Sequence, residues 1–227
     1  THPSTIHTSR SNIQSEPICF NLKQSQPNQT CINFQWEPHH QWSGSIDSHG
    51  TNLDSLTHYL LPSQTHLDGN LQLTASASGQ ATHIQSATID SAIDNGKITY
   101  ITQHQTHTTP IQTAKAHWVF KKHTLSTDTN IELHTDNHIT SQLSIHNLPY
   151  LTWPSNQQTI SGSLSIQAKQ LNAYSAFTPN VDLKNGSLNS KLTIQGPINA
   201  PQLTGETSLN NIQVFLPKFG LDISNVH

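Results

Sequence analysis

Residues 68–77 read Asp-Gly-Asn-Leu-Gln-Leu-Thr-Ala-Ser-Ala, in which apolar and polar side chains alternate directly after an Asp-Gly turn signal. A period of two places every apolar side chain on one face of a β-strand. The same alternation returns along the chain in Ile18–Leu22, Ile32–Trp36, Ile98–Tyr100, Trp118–Phe120, Ile131–Leu133, Leu143–Ile145, Leu164–Ala168, Leu188–Ile194 and Ile212–Leu216. The pattern predicts a mainly β protein whose sheet is apolar on one face and solvated on the other.

The composition favours a thin sheet over an ordinary two-layer globule. Only 32% of the 227 residues are hydrophobic and 10% are charged, whereas a typical domain is roughly 45–50% apolar. Disordered chains usually combine low hydrophobicity with a high net charge, and the formal net charge here is only −3. The chain also lacks the basic stripe that is typical of a nucleic-acid-binding protein, so we expect no nucleic-acid partner.

Two segments have helical spacing and predict short helices, over 52–61 before Pro62 and over 170–177 before Pro179. Their apolar residues are Leu53, Leu56 and Leu60 in the first helix and Leu171, Tyr174 and Phe177 in the second. Helices of this length are not stable alone in water, so each is expected to pack its apolar stripe against the sheet.

The two predicted helices belong to an internal repeat. Gly44 and Gly162 lie 118 residues apart, and Gly69 and Gly186 lie 117 residues apart. We therefore divide the chain into residues 1–80 with repeat copy 1 at about 43–79, a β-meander over 81–160, and copy 2 with its following strands over 161–227. Repeated sheet units grow by stacking, which predicts one continuous domain, interpreted as a fragment of a longer protein.

The two cysteines, Cys19 and Cys31, allow one disulfide, which would place the chain in an oxidising compartment. The alternative is a pair of buried free thiols in a cytosolic protein. Both cysteines are out of phase with their apolar neighbours and are predicted on the wet face. A simple hairpin of 18–22 with 32–36 around Pro27 does not set them opposite each other, so the bridge is expected to need a bulge or a twisted turn.

No motif of catalysis or cofactor binding is found. The 16 histidines are scattered, His39-His40 is the only adjacent pair, and residues such as His117 and His134 are predicted to be solvated, which leaves no metal site. Asp90, Asp94, Asp128 and Glu132 show no pairing suited to glycoside hydrolysis, and nucleophile-elbow, P-loop and dinucleotide motifs are missing. The sequence predicts a protein that is not an enzyme and that needs no cofactor.

The apolar face must be covered by a second sheet, by helices or by a ligand. The sheet either curls into an open trough with an apolar floor or folds into a closed sandwich, and periodicity alone does not separate these two architectures. For the trough, the predicted groove-lining residues are Leu71, Leu73, Trp118, Phe120, Leu143, Ile145, Leu164, Ile166, Leu192, Ile194, Ile212, Val214 and Leu216.

The stretches 196–209 (GPINAPQLTGETSL) and 215–223 (FLPKFGLDI) resemble the TamB family, the inner-membrane subunit of the translocation and assembly module. The block from Gly162 to Gly186 and the segment from the cysteine pair into Gly44 and the predicted first helix resemble the family too. The resemblance implies a long, curved antiparallel or mixed sheet that forms a U-shaped, taco-like groove, similar to that of the AsmA-like, bridge-like lipid carriers. It also implies a periplasmic segment of a Gram-negative protein whose inner-membrane anchor is absent from this chain.

Two functions follow from the resemblance as hypotheses. The first is a conduit in which phospholipid acyl chains move along the apolar groove between the inner and outer membranes. The second is a scaffold that binds unfolded outer-membrane proteins, or the outer-membrane barrel TamA, by edge-strand addition. A third and weaker hypothesis is a β-helical adhesin or polysaccharide-acting domain built from closed coils.

Overall fold

The alternating segments form strands of one sheet in a computed structural model, which describes residues 4–9, 12–21, 29–54, 64–101, 106–134, 136–149, 158–172, 174, 178, 181–216 and 219–226. The strands are β1 (Ile6–Thr8), β2 (Ile13–Ser15), β3 (Ile18–Phe20), β4 (Gln29–Glu37), β5 (Gln41–Asn52), β6 (Thr65–Gln80), β7 (His83–Ile101), β8 (Thr106–Lys121), β9 (Thr124–Leu133), β10 (Asn137–His146), β11 (Thr159–Ala168), β12 (Asp182–Pro197), β13 (Gln202–Leu216) and β14 (Leu221–Val226). The predicted mainly β fold is confirmed.

The 14 strands form a single sheet whose spatial order follows the chain, with β3 added beside β2 on the same edge of β4. Every strand pair is antiparallel. The β-helix hypothesis is therefore wrong, because coils of a β-helix stack in parallel. The sheet is open in the described part of the chain, which favours the trough over the closed sandwich.

Tight turns explain why neighbours in sequence are neighbours in the sheet. Lys122 and His123 both have positive φ (51° and 61°) between β8 and β9, as do His39 and His40 (63° and 62°) in the 3-10 turn Pro38–His40 before β5. Two consecutive left-handed residues suit the right-handed twist of a hairpin. The only adjacent histidine pair is thus a turn, and His134 likewise lies in the turn after β9 instead of on a strand face.

Much of each predicted helix lies outside the described residues, and Asp54, at the beginning of the first, has helical conformation. Residues 55–63 of the first segment lie outside the described residues, and so do most positions after Asn172 in the second. Leu171, Asn172 and Tyr174 have 3-10 conformation. Each segment connects two adjacent strands, β5 to β6 in copy 1 and β11 to β12 in copy 2.

A line of β-bulges crosses the sheet near these connecting segments. The register shifts between Asp68 and Asn70 in β6, at Gly96 in β7 and between Ile111 and Thr113 in β8. Gly69 has φ of 145°, and a Cβ added to it would lie 3.1 Å from the Cα of Gly96. Bulges bend a strand and increase its twist, so these three neighbouring strands bend at the same level.

The disulfide between Cys19 and Cys31 is present, with the two Sγ atoms 2.07 Å apart. The expected need for a bulge is wrong, because β3 and β4 pair with Cys19 directly opposite Cys31. The prediction aligned 18–22 with 32–36, but β4 begins at Gln29 and its later residues Gln35 and Trp36 pair with β2 and β5 instead. Cys31 is also opposite Asp47, which places the bridge on the polar face, as predicted.

Pro17 explains the division of the first edge into β2 and β3. Proline lacks the N–H that a ladder needs, and the chain skips one register position here. At this interruption the Ser15 hydroxyl replaces a backbone partner of β4. It accepts a hydrogen bond from the Phe34 N–H (2.9 Å) and contacts the Phe34 carbonyl (3.4 Å). The disulfide then fixes the short β3 to β4 beyond this interruption.

We predict that replacing both cysteines, Cys19→Ser with Cys31→Ser, lowers the free energy of unfolding by up to about 3 kcal/mol, the loop-closure value for a bridge of this span. Chemical denaturation of the two proteins under oxidising conditions measures the difference. Adding a reductant should lower the free energy of unfolding of the parent protein and leave that of the double variant unchanged. Equal stability of the two proteins would contradict the structural role given to the bridge.

Candidate apolar binding face

The pairing register of the strands places apolar side chains from distant segments of the chain on one face of the sheet. In antiparallel strands, directly opposed residues project to the same side. One such row runs across the sheet from β4 to β13 and consists of Ile32, Ile46, Ala75, Ile89, Trp118, Thr127, Leu143, Gly162, Ile194 and Leu203. We call the side that carries this row the apolar face.

The predicted lining residues from Leu71 to Ile194 all fall on the apolar face. Leu73 and Leu164 share one row with Leu192, and Leu71 shares another with Ile166. Ile145 lies in the row of Phe120. Beyond the bulges of β12, Ile212 and Val214 pack against the same side, and Leu216 follows in β13.

The apolar face is only partly covered. Ile46, Ile89 and Trp118 are 38%, 37% and 39% exposed, although all three are large apolar side chains. Phe120 and Ile212, by contrast, are buried, so these two predicted lining residues are packing residues and not an accessible floor. The other predicted residues on this face are half-buried.

A cavity of about 670 Å³ lies on the apolar face over β4–β7. One row explains it: Phe34, Gly44, Ala77, Ala87 and Phe120 are consecutive cross-strand neighbours. The three small residues leave a depression beside the Phe34 ring. We call this depression, whose wall also includes Ile32, Trp36, Trp42, Ile46, Ala75, Ile84 and Ile89, the apolar cavity.

Our predicted lining set omits the wall of the apolar cavity. The alternation of Ile32, Phe34 and Trp36 marks the right face, but it does not reveal a depression. That signal lies in the glycine and alanines of three other strands, which become neighbours only once the register is known. Gly44 and Ala77 are 33 positions apart in the chain yet directly opposed in the sheet.

Trp42 forms one rim of the apolar cavity. It is opposite Trp36 on one side and Gly79 on the other. A Cβ added to Gly79 would lie 2.6 Å from the Trp42 ring, so the indole packs directly against this glycine. The indole N–H donates to the Ala81 carbonyl at 3.0 Å, which fixes the ring while its apolar surface faces the cavity.

A packed cluster closes the apolar face at the other end of the sheet. Ala168, Leu171 and Ile212 are buried together, with Tyr174, Leu183, Leu188 and Val214 packed around them. Burial raises the pKa of the Tyr174 phenol, because desolvation disfavours the phenolate. Leu171 and Tyr174 thus occupy part of the apolar face themselves, as the predicted second helix was expected to do.

Asn137 anchors the connecting segment that carries Leu171. Its amide is fully buried, donating to the His134 carbonyl at 2.8 Å and accepting from the Gln170 N–H at 3.2 Å. Beside it, the Lys169 ammonium donates to Asp136 at 2.8 Å. This contact lowers the pKa of the Asp136 carboxyl. The beginning of the segment is therefore positioned by polar contacts and the rest by apolar packing.

The fold and this face define a class of protein: an open, single-sheet β protein with one apolar and one polar face. The chain belongs to the TamB family, since the family described as TamB, N-terminal domain, matches residues 5–209. Searches of curated proteins and of solved structures found no match. Family membership indicates a protein of the bacterial cell envelope. In the ranges that the structure describes, no helix has the length and apolar character needed to cross a bilayer.

We predict that Asn137→Ala destabilises the protein by about 2 kcal/mol, because it removes two hydrogen bonds of a buried amide, each worth about 1 kcal/mol. Urea unfolding measures the change. Asn189→Ala is the matched control, since Asn189 is exposed on β12 and its loss should change stability by less than about 0.5 kcal/mol. An equal effect of the two substitutions would contradict the anchoring role of Asn137.

Proposed function

We propose that this chain is a periplasmic segment of a bridge-like carrier, in which the apolar face forms a groove for phospholipid acyl chains travelling between the inner and outer membranes. The observation that carries the proposal is the exposure of large apolar residues beside the apolar cavity. Contiguous apolar surface of this kind usually marks a binding site. The cavity volume lies within the roughly 300–1,000 Å³ of small-molecule sites.

Energetics explain why such a face suits lipid transfer. Each methylene moved from hydrocarbon into water costs about 0.8 kcal/mol, so an acyl chain of sixteen carbons costs on the order of 12 kcal/mol. A polar path would leave this barrier in place. The row from Ile32 to Ile194 provides an apolar side chain at most of the strands it crosses, with Thr127 on β9 and Gly162 on β11 as exceptions, so an acyl chain can exchange one burial site for the next.

The proposed activity involves no bond-making step. The side chains that project into the apolar cavity are mainly alkyl and aromatic groups, which neither donate nor accept protons. Their contribution is a water-excluding surface. The protein is accordingly proposed to bind and guide its ligand without converting it.

We predict that photo-crosslinking residues at Ile46, Ile89 and Trp118 capture phospholipid from vesicles of phosphatidylethanolamine and phosphatidylglycerol. Crosslinkers at Gln167 and Thr193, which are exposed on the polar face, should capture none. Native mass spectrometry of the purified chain should show co-purified phospholipid. Capture at the polar positions in preference to the apolar ones would overturn the lipid-conduit proposal.

A charge on the apolar face provides a second test of the same proposal. Ile89→Asp, Leu164→Asp and Leu192→Asp should each reduce captured lipid at least about tenfold, because an acyl chain cannot solvate a carboxylate. Thr193→Asp, adjacent to Leu192 but on the opposite face, is the matched control and should leave capture unchanged. Circular dichroism verifies that each variant keeps its sheet.

The edge of β13 favours a second candidate function, the binding of unfolded outer-membrane proteins or of the TamA barrel. β14 pairs only with residues 212–216, and the described residues 202–210 of β13 pair only with β12. These residues are exposed, Leu203 by 61%. An edge of this length can accept an added strand through main-chain hydrogen bonds.

Proline substitution separates the two functions. Thr204→Pro, Glu206→Pro and Ser208→Pro remove N–H groups from one side of β13, and Leu203→Pro, Thr207→Pro and Leu209→Pro remove them from the other. The three substitutions that remove N–H groups pointing away from β12 should preserve the fold, which circular dichroism measures. They should also abolish binding of an unfolded outer-membrane barrel protein. Lipid capture should persist in that set. Client binding that survives in every folded proline variant would contradict edge addition.

A further inference from the structure

The polar face carries a cavity of its own, of about 700 Å³, over strands β6–β11 and His49 of β5. This polar cavity lies on the side opposite the apolar cavity. The cross-strand neighbours Asp90, His117, Asp128 and Gln142 form its centre. Nothing in the lipid or edge-strand functions uses these side chains.

The polar cavity is lined by two parallel rows. Two positions along the strands from the central row, Lys115, Asn130 and Thr140 are again consecutive cross-strand neighbours. His117 Nδ1 lies 2.6 Å from Asp90 Oδ1, and this contact fixes the direction of both side chains. The rows therefore present carboxylate, imidazole, ammonium, amide and hydroxyl groups side by side on a rigid ladder.

We propose that the polar cavity binds an extended oligosaccharide. Carboxylates and the carbonyl oxygens of amides accept hydrogen bonds from ring hydroxyls, while amide N–H, ammonium and hydroxyl groups donate to them. A site that alternates acceptors such as Asp128 with donors such as Lys115 and Asn130 suits a ligand whose every hydroxyl both donates and accepts. One ammonium and two carboxylates in the rows also keep the formal charge small, which suits a neutral ligand.

The shape of the polar cavity favours an elongated ligand. Neighbouring strands lie about 4.8 Å apart, so a depression from β6 to β11 is roughly 24 Å long. Strands β6, β8, β9 and β10 each contribute two polar side chains at this spacing, and β7 and β11 contribute one each, from Asp90 and Ser163. A linear chain of sugar units can therefore meet a new set of polar groups at each strand it crosses.

Other polar polymers fit less well. A nucleic acid would bring its phosphates against Asp90 and Asp128, with too few cations to release its counterions. An extended peptide needs partners for its backbone, and the face of a sheet offers none because ladder N–H and C=O groups are already paired. Side-chain recognition of hydroxyl groups requires no free backbone.

The test is a titration of the full chain, labelled with nitrogen-15, with the tetramer of N-acetylglucosamine and, separately, with maltotetraose. At least one sugar should shift amide signals of β7–β10 progressively and saturably. A preference for the first sugar identifies an acetamido-bearing glycan, and a preference for the second identifies a simple glucan. A polar peptide that binds more tightly than both sugars would overturn the proposal, as would the absence of saturable shifts with either sugar.

Variants locate the binding. Asp128→Ala, Asn130→Ala and Gln142→Ala should each weaken sugar binding about fivefold, the loss expected for about one hydrogen bond. Thr193→Ala, on the same face but beyond the cavity, should leave it unchanged. Asp128→Asn, which keeps the shape and one acceptor, should retain more affinity than Asp128→Ala. Binding that all four cavity variants leave unchanged would overturn the assignment to this site.

Discussion

Strand register is the constraint on which the faces, the cavities and the edge of this protein depend. Side chains alternate with a period of two, so a slip of one residue between any two strands would move a whole strand of apolar side chains to the wet side. The register is held at both ends of the strands, by two-residue turns such as Lys122-His123 and by glycine bulges such as Gly69 and Gly186. The cavities exist because the same register is kept across many strands in succession.

A sheet that forms a single layer cannot be stabilised by a thick hydrophobic core. In the described part of the chain, the most deeply buried apolar side chains lie near strand ends: Leu133 and Ala168 at one end, Phe120 and Leu148 at the other. Between them the apolar face stays half-covered, and backbone pairing provides the continuity of the structure. This division places the packing where the connecting segments cross and leaves the central rows available. The packed residues and the surfaces proposed for binding thus lie at different levels along the same strands.

The sequence was sufficient for the strands and for the apolar face, because alternation in stretches such as 71–77 and 164–168 is a local property. It was insufficient wherever the result depends on which residues face each other. Cys19 pairs directly with Cys31 because the edge strand is interrupted at Pro17, so that the later residues of β4 pair with β2 and the earlier ones with β3. The apolar cavity follows from the row of Gly44, Ala77 and Ala87, whose small side chains leave a depression only beside larger neighbours such as Phe34.

The one-sheet architecture also means that the two proposed binding surfaces share the same strands. β7 presents Ile89 to one side and Asp90 to the other, and β8 presents Trp118 and His117 in the same way. Neighbouring residues therefore belong to different surfaces, separated by the thickness of a single backbone layer. Ligands on the two sides would not compete for space, yet both would stiffen the same strands. Since a second ligand loses less conformational entropy on a strand that is already ordered, occupancy of the polar cavity should favour, and not oppose, occupancy of the apolar one.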